Sequence, residues 1–198
     1  MNSNSFKIDS EHKTLWDLIN GIVYAIVNEN EWFYKIERDS QLGIFSKEKQ
    51  EIIIPVNYDS IGNSGYNPFS NFGIIPSESF EIRKDGYIGI ASTKDGVLLE
   101  PLIDPLEFEV YPNTFSEDIV VVQKLSDNIP EKLTPVLRFL DTRNGNLSCV
   151  FTDIRSKFHN GRAAATYQRR ILEFNSDLEV TDSYDAVFYG FNDEAYYQ

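Results

Sequence analysis

The feature that most limits how this chain can fold is a hairpin-like segment that returns about four times with its internal spacing nearly kept. Leu42-Gly43-Ile44-Phe45-Ser46 leads through a charged turn to Glu51-Ile52-Ile53-Ile54-Pro55 and then to Tyr58-Asp59-Ser60-Ile61. Ile88-Gly89-Ile90-Ala91-Ser92 leads through Asp95-Gly96 to Val97-Leu98-Leu99-Glu100-Pro101, and in both copies Pro stands 12 residues after Gly. A third copy runs from Leu137-Arg138-Phe139-Leu140-Asp141 through Asn144-Gly145 to Leu147-Ser148-Cys149-Val150-Phe151. The fourth runs from Ile171-Leu172-Glu173-Phe174-Asn175 to Leu178-Glu179-Val180, and its Tyr184-Asp185-Ala186-Val187 echoes Tyr58-Asp59-Ser60-Ile61. A second motif follows each hairpin, clearest at Phe115-Ser116-Glu117-Asp118 and Phe158-His159-Asn160-Gly161, with weaker versions at Phe69 and Phe191; these Phe residues lie 46, 43 and 33 residues apart.

A lone hairpin has one apolar face and is marginal in water, so such units must pack on their neighbours to bury it. Gly43 and Gly89 then mark places where a side chain would collide with the adjacent strand, and the recurring Phe fills the gap between consecutive units. Short runs of β-branched and aromatic residues (Val23–Val27, Trp32–Ile36, Ile52–Val56, Tyr87–Ala91, Val97–Leu99, Ile119–Val122 and Leu147–Phe151) predict strands, punctuated by Asp85-Gly86, Asp95-Gly96 and Asn144-Gly145. Ahead of them, Asp9-Ser10-Glu11 before Leu15, Leu18, Ile19 and Ile22 predicts a short amphipathic helix ending at Gly21, with His12 on its polar side. The expected architecture is therefore all-β. A helical cap over 1–21 precedes a repeat domain over 22–198, with units near 22–69, 70–115, 116–158 and 159–198. Four stacked antiparallel hairpins in an open twisted array satisfy this pattern, as does a propeller-like closed sheet; the drifting spacing favours the open array.

The Gly-Ile hairpins, Ile54-Pro55, Tyr58-Asp59 and Phe158-His159-Asn160-Gly161-Arg162-Ala163 resemble the WG-repeat family, also called KWG repeats, over about Val23 to the C-terminus. Leu42 and Ile88 stand where that family has Trp, and Arg138 and Leu172 replace its Gly, so these are degenerate copies. The resemblance implies a β-rich binding protein and brings no catalytic residues.

Composition narrows the function classes. Lys plus Arg total 18 against 31 Asp plus Glu, a formal charge of −13, which repels nucleic acid and anionic lipid and attracts basic proteins. The single Cys149 excludes an internal disulfide and suits a reducing compartment. The N-terminus lacks the apolar stretch of a signal peptide, and no run approaches the roughly 20 residues of a membrane helix, so the cytoplasm is the expected location. No metal-ligand spacing, calcium loop, P-loop or GxGxxG is present, and no cofactor is implied. Cys149, His159 and Asp153 are the only nucleophile, base and orienter that can be drawn. Cys149 alternates with Leu147 and Phe151 and is expected to face the core. Glu117 and Asp118, an adjacent carboxylate pair, carry no signal at this density of acid.

Charge asymmetry is the strongest functional signal. From Ile154 to Arg170 the chain holds Arg155, Lys157, Arg162, Arg169 and Arg170 and no acid; beyond Arg170 it holds seven acids and no Lys or Arg. An acidic surface interleaved with Tyr steers a basic protein by charge and anchors it by aromatic contact. The expected contact residues are Tyr184, Asp185, Tyr189, Asp193, Glu194, Tyr196 and Tyr197. The functional expectation is a non-enzymatic protein-binding repeat domain, in its most concrete form an immunity-like protein that neutralises a basic toxin. The alternative is a glycan or small-molecule binder using Trp32 and Tyr66 as stacking platforms.

Overall fold

The computed structural model describes residues 5–62, 79–126 and 136–186. These form seventeen strands in four antiparallel sheets and no helix: β1 Phe6–Asp9, β2 Thr14–Asp17, β3 Ile22–Glu29, β4 Phe33–Arg38, β5 Gln41–Ser46, β6 Glu51–Tyr58, β7 Ser60–Ile61, β8 Ser79–Lys84, β9 Tyr87–Ser92, β10 Gly96–Ile103, β11 Phe108–Ser116, β12 Ile119–Lys124, β13 Leu137–Asp141, β14 Asp153–His159, β15 Arg162–Tyr167, β16 Arg170–Asn175 and β17 Val180–Asp185. None of the sheets closes into a barrel. The chain divides into two compact units, Met1–Phe115 and Ser116–Gln198.

In the first unit β1 to β6 form one sheet in chain order. The helix expected before Ile22 is absent, and the reason lies in Asp9 and Asp17. The Asp9 carboxylate accepts the N–H groups of Glu11 and His12 and is bonded by His12 Nδ1 at 2.9 Å; that of Asp17 accepts those of Ile19 and Asn20 and the Asn20 side-chain amide. These are the bonds of a helix N-cap used to close tight turns, and Gly21 completes the second turn at φ +64°. The apolar spacing does not define one face either: Leu15 is fully buried, while Leu18 and Ile19 are 56% and 75% exposed.

The sheet curls strongly. β1 and β5 stand four strand steps apart, about 19 Å if flat, yet the Phe6 and Phe45 rings meet edge to face at 5.0 Å. Leu15, Tyr24, Ile36 and Phe45 are buried inside this curl. On the other face of β4 to β6, Phe33, Ile44, Ile54 and Tyr58 pack against Ile61, Phe80, Ile82 and Ala91 of the second sheet, ordered β10-β9-β8-β7. Lys35 is buried at this junction, its ammonium donates to the Ile61 carbonyl at 2.8 Å, and burial holds its pKa below the usual lysine value.

The two glycine copies share one local structure. Between Leu42↔Tyr58 and Ile44↔Ile54 the β6 strand carries two extra residues, as β10 does between Ile88↔Ile103 and Ile90↔Leu99. Gly43 and Gly89 lie opposite these bulges, which contain Pro55 and Pro101, residues with no N–H to give a ladder. A Cβ on Gly89 would lie 2.5 Å from the Leu99 carbonyl oxygen, and one on Gly43 would lie 2.8 Å from that of Ile54.

In the second unit β12 and β13 pair from Ile119↔Asp141 to Gln123↔Leu137. The strand expected over Leu147–Phe151 makes only two isolated cross-strand pairs, Leu137↔Phe151 and Leu140↔Leu147. The buried Ser148 hydroxyl accepts the Phe139 N–H at 2.9 Å and donates to the Cys149 carbonyl at 2.7 Å. That insertion breaks the alternation, and Cys149, expected inside, is exposed. β14 to β17 form a four-stranded sheet in chain order. Its inward Phe158 and Phe174 close on Phe139 at 5.1 and 5.2 Å, with Phe151 at 4.7 Å, making an all-phenylalanine centre.

Turn chemistry repeats with the hairpins. Ser46, Ser92 and Asp141 each end a strand, are buried, and are followed four residues later by a positive φ at Gln50, Gly96 and Gly145. Ser46 and Ser92 accept the N–H of Lys49 and Asp95 through Oγ, and the Asp141 carboxylate accepts that of Arg143. Among the described residues five two-residue turns have positive φ at both positions, the geometry that matches strand twist: Asp39-Ser40, Asp85-Gly86, Glu117-Asp118, Asn160-Gly161 and Gln168-Arg169. Three of the five contain no glycine.

Candidate functional site

Strand register sorts the last sheet into two faces, because directly paired residues share a side. Ala163 pairs with Phe174 and Ala165 with Leu172, which places these inward. Ala164↔Glu173↔Asp182 and Thr166↔Ile171↔Tyr184 form two cross-strand rows on the outward face. β14 joins it irregularly, with register shifts on either side of its Ser156↔Ala164 pair. Phe158 is buried while Lys157 and His159 on either side of it are exposed, and His159 faces Arg162 on the outward face. Arg155 belongs to the same face, since its Nε donates to Thr166 Oγ1 at 2.7 Å.

The result is one surface with two electrical halves. Arg155, Lys157 and Arg162 stand along β14 and β15, while Glu173 and Asp182 stand along β16 and β17. Ala164 and Ile171 lie half-buried between them. Tyr184 is 45% exposed and donates from its hydroxyl to Glu173 Oε1 at 3.2 Å. Partial burial, that hydrogen bond, and the charges of Glu173 and Asp182 push its phenol above the usual tyrosine value.

Of the contact residues expected from the sequence, Tyr184 and Asp185 lie on β17, both exposed, with Asp185 paired across to Arg170. Tyr189, Asp193, Glu194, Tyr196 and Tyr197 lie outside the described residues, as does Tyr66. Arg155, Lys157 and Arg162 belong to the cationic run read from the sequence, but nothing in the sequence placed them beside the acidic half.

A second feature lies in the first unit. Ile8, Ser10, Lys13, Ile26, Val27, Asn28, Glu29 and Tyr34 line an open cleft of about 230 Å³. At its edge the Lys47 ammonium bonds Glu29 at 3.0 Å and sits 4.1 Å from the centre of the Tyr34 ring. Trp32 is exposed on the adjoining β3–β4 turn, held by N–H donation to Asn30 Oδ1.

The groupings drawn for catalysis are not assembled. Asp153 and His159 are the two ends of β14, about 20 Å apart at strand rise, so they cannot orient and activate one another. The Cys149 thiol is pushed up by partial burial, against the direction a nucleophile needs. The Glu117 carboxylate accepts the N–H groups of Asn160 and Gly161 at 2.7 and 2.9 Å, tying the two copies of the Phe motif together.

No family model matches the chain, and no curated protein matches it. Solved structures of Hsv2 from Kluyveromyces lactis are similar to it at a low level. One is 11% identical with TM-score 0.27, covering 86% of this chain and 73% of that one. Another is 12% identical with TM-score 0.28, covering 82% and 55%. No inference rests on a likeness of this size.

Proposed function

We propose that this chain is a non-enzymatic protein-binding module of degenerate WG-like repeats, arranged as an open twisted array, whose partner is a basic protein. The observation that carries the reading is β17: Asp182, Tyr184 and Asp185 are all exposed on a strand beyond which the chain has no Lys or Arg. Carboxylates supply long-range attraction for a cationic surface, and the tyrosine ring supplies contact area at low entropic cost. Tyr189, Asp193, Glu194, Tyr196 and Tyr197 extend the same chemistry along the chain. A specific form of this function is an immunity-like protein in the cytoplasm that covers the active site of a basic toxin.

The test is capture of partners by the tagged chain from its own cells' lysate and secreted fraction, at low and moderate salt, beside a Tyr184→Ala/Asp185→Asn variant. One stoichiometric basic protein, lost as salt rises and weakened by the variant, is the expected result. Equal capture by the variant would remove β17 as the contact surface.

The cleft at Tyr34 favours a second reading, a small polar ligand or glycan held between Lys13, Asn28 and Glu29 over an Ile8–Ile26 floor. Salt separates the two, because stacking of a neutral sugar is insensitive to ionic strength.

A further inference from the structure

We propose that the outward face of β14 to β17 is self-complementary, and that two copies of this chain pair through it about a two-fold axis running along the strands between β15 and β16. The proposal rests on how charge is distributed over the face, and it does not require the basic partner.

Strand by strand the outward side chains are Arg155 and Lys157 on β14, Arg162, Ala164 and Thr166 on β15, Ile171, Glu173 and Asn175 on β16, and Asp182 and Tyr184 on β17, so cations lie at one edge and acids at the other. Two identical sheets can meet face to face about an axis across the strands or along them. The first lays β14 over β14 and sets ammonium and guanidinium groups against their own kind. The second lays β14 of one copy over β17 of the other, so Lys157 meets Asp182 and Arg155 meets Tyr184, each twice by symmetry. Beside the axis Ala164 lies over Glu173 and Ile171 over Thr166 of the other copy, which sets the two Ile171 side chains next to each other at the centre of a polar rim. Tyr184 lies under the cationic row, where a guanidinium can stack on its ring.

The size of the face sets the strength. Four strands at about 4.8 Å and six residues at about 3.3 Å cover roughly 400 Å² per copy, half of the ~800 Å² typical of a stable interface. The pair is therefore weak, concentration-dependent and sensitive to salt. It also uses the acidic strand assigned above to a basic partner, so that partner and the second copy exclude one another.

The test is sedimentation velocity of the full chain over a wide concentration range, with Lys157→Glu and Asp182→Lys variants alone and mixed. Both positions are exposed, and unchanged far-UV circular dichroism checks that each variant folds. Wild type is expected to shift from monomer towards dimer as concentration rises at low salt. Each variant alone places like charges together at both contacts and is expected to associate about tenfold more weakly or less. In an equimolar mixture the two substituted positions face each other at one contact and the native Lys157 and Asp182 face each other at the other. Opposite signs then meet at both, and the mixture is expected to recover the dimer. A wild-type chain that stays monomeric at every concentration would overturn the proposal, as would variants that dimerise as wild type does or a mixture that does not recover. A failure to capture any basic partner leaves these outcomes unchanged, so the two readings fail separately.

Discussion

Replacing Gly89 by alanine asks whether the repeated glycine exists to let a bulged strand approach. The added Cβ would lie 2.5 Å from the Leu99 carbonyl oxygen, 2.8 Å from Pro101 N and 2.9 Å from Glu100 C, all of them backbone atoms. A carbon and a carbonyl oxygen ordinarily come no closer than about 3.3 Å, so β10 must retreat by roughly 0.8 Å inside a packed junction. Overpacking of that kind costs about 1–3 kcal/mol. The loss of unfolded-state freedom returns about 0.4–1 kcal/mol, which leaves a net loss of about 1–2 kcal/mol and, for a unit of this size, a melting point lower by about 5–8 °C. Both tryptophans, Trp16 and Trp32, lie in the same unit as Gly89, so urea unfolding followed by tryptophan fluorescence reads the effect. Gly43→Ala should cost less, because its nearest backbone contact, the Ile54 carbonyl oxygen, lies at 2.8 Å rather than 2.5 Å and its closest neighbour, Val56 Cγ2 at 2.7 Å, is a side-chain atom that can move. A Gly89→Ala protein within about 0.5 kcal/mol of wild type, or a reversed order between the two, would refute the reasoning.

Phe139→Ala removes the ring that touches Phe151, Phe158 and Phe174; a loss of about 3–5 kcal/mol is expected, read by near-UV circular dichroism during urea unfolding. Asp141 is buried, and its carboxyl is held below the usual range first by hydrogen bonds from Arg143. Its contribution is thus complete above about pH 4 and lost as pH falls through the lowered value; Asp141→Asn should flatten the acid limb of stability against pH, and an unchanged limb would exclude the pair as its cause. Tyr58 is raised to about 12, first by burial and then by Glu100. A raised group contributes fully below its unfolded pKa of about 10 and loses that contribution as pH climbs towards 12, so Tyr58→Phe should lose less stability than wild type over that range.

Much of the hairpin architecture was legible because its signals are local. Gly43 with Pro55 and Gly89 with Pro101 specify a bulge and the residue that tolerates it, and Asp85-Gly86 specifies its turn by conformational freedom alone. The N-terminal segment is ambiguous for an equally local reason: an Asp near the start of the segment satisfies free N–H groups two and three residues on in the same way at a helix start and in a tight turn. Leu15, Leu18 and Ile19 then gave a helical spacing that the chain never uses. Cys149 lies outside because a hydroxyl entering the ladder at Ser148 resets an alternation that is continuous in the sequence.

What the sequence by itself determined was the all-β class, the hairpin units, the glycine positions where strands crowd, and the separation of cations before Arg170 from acids after it. These follow from backbone conformation, strand period and charge counted along the chain. Only the tertiary structure decided that β1 folds back over β5, that Asp153 and His159 stand at opposite ends of one strand, and that Arg155, Lys157 and Arg162 share a face with Asp182 and Tyr184. The physical reason is that two bulges in β14 set which way its side chains point, and the register of each strand against the next is an energy of packing between residues far apart in the chain.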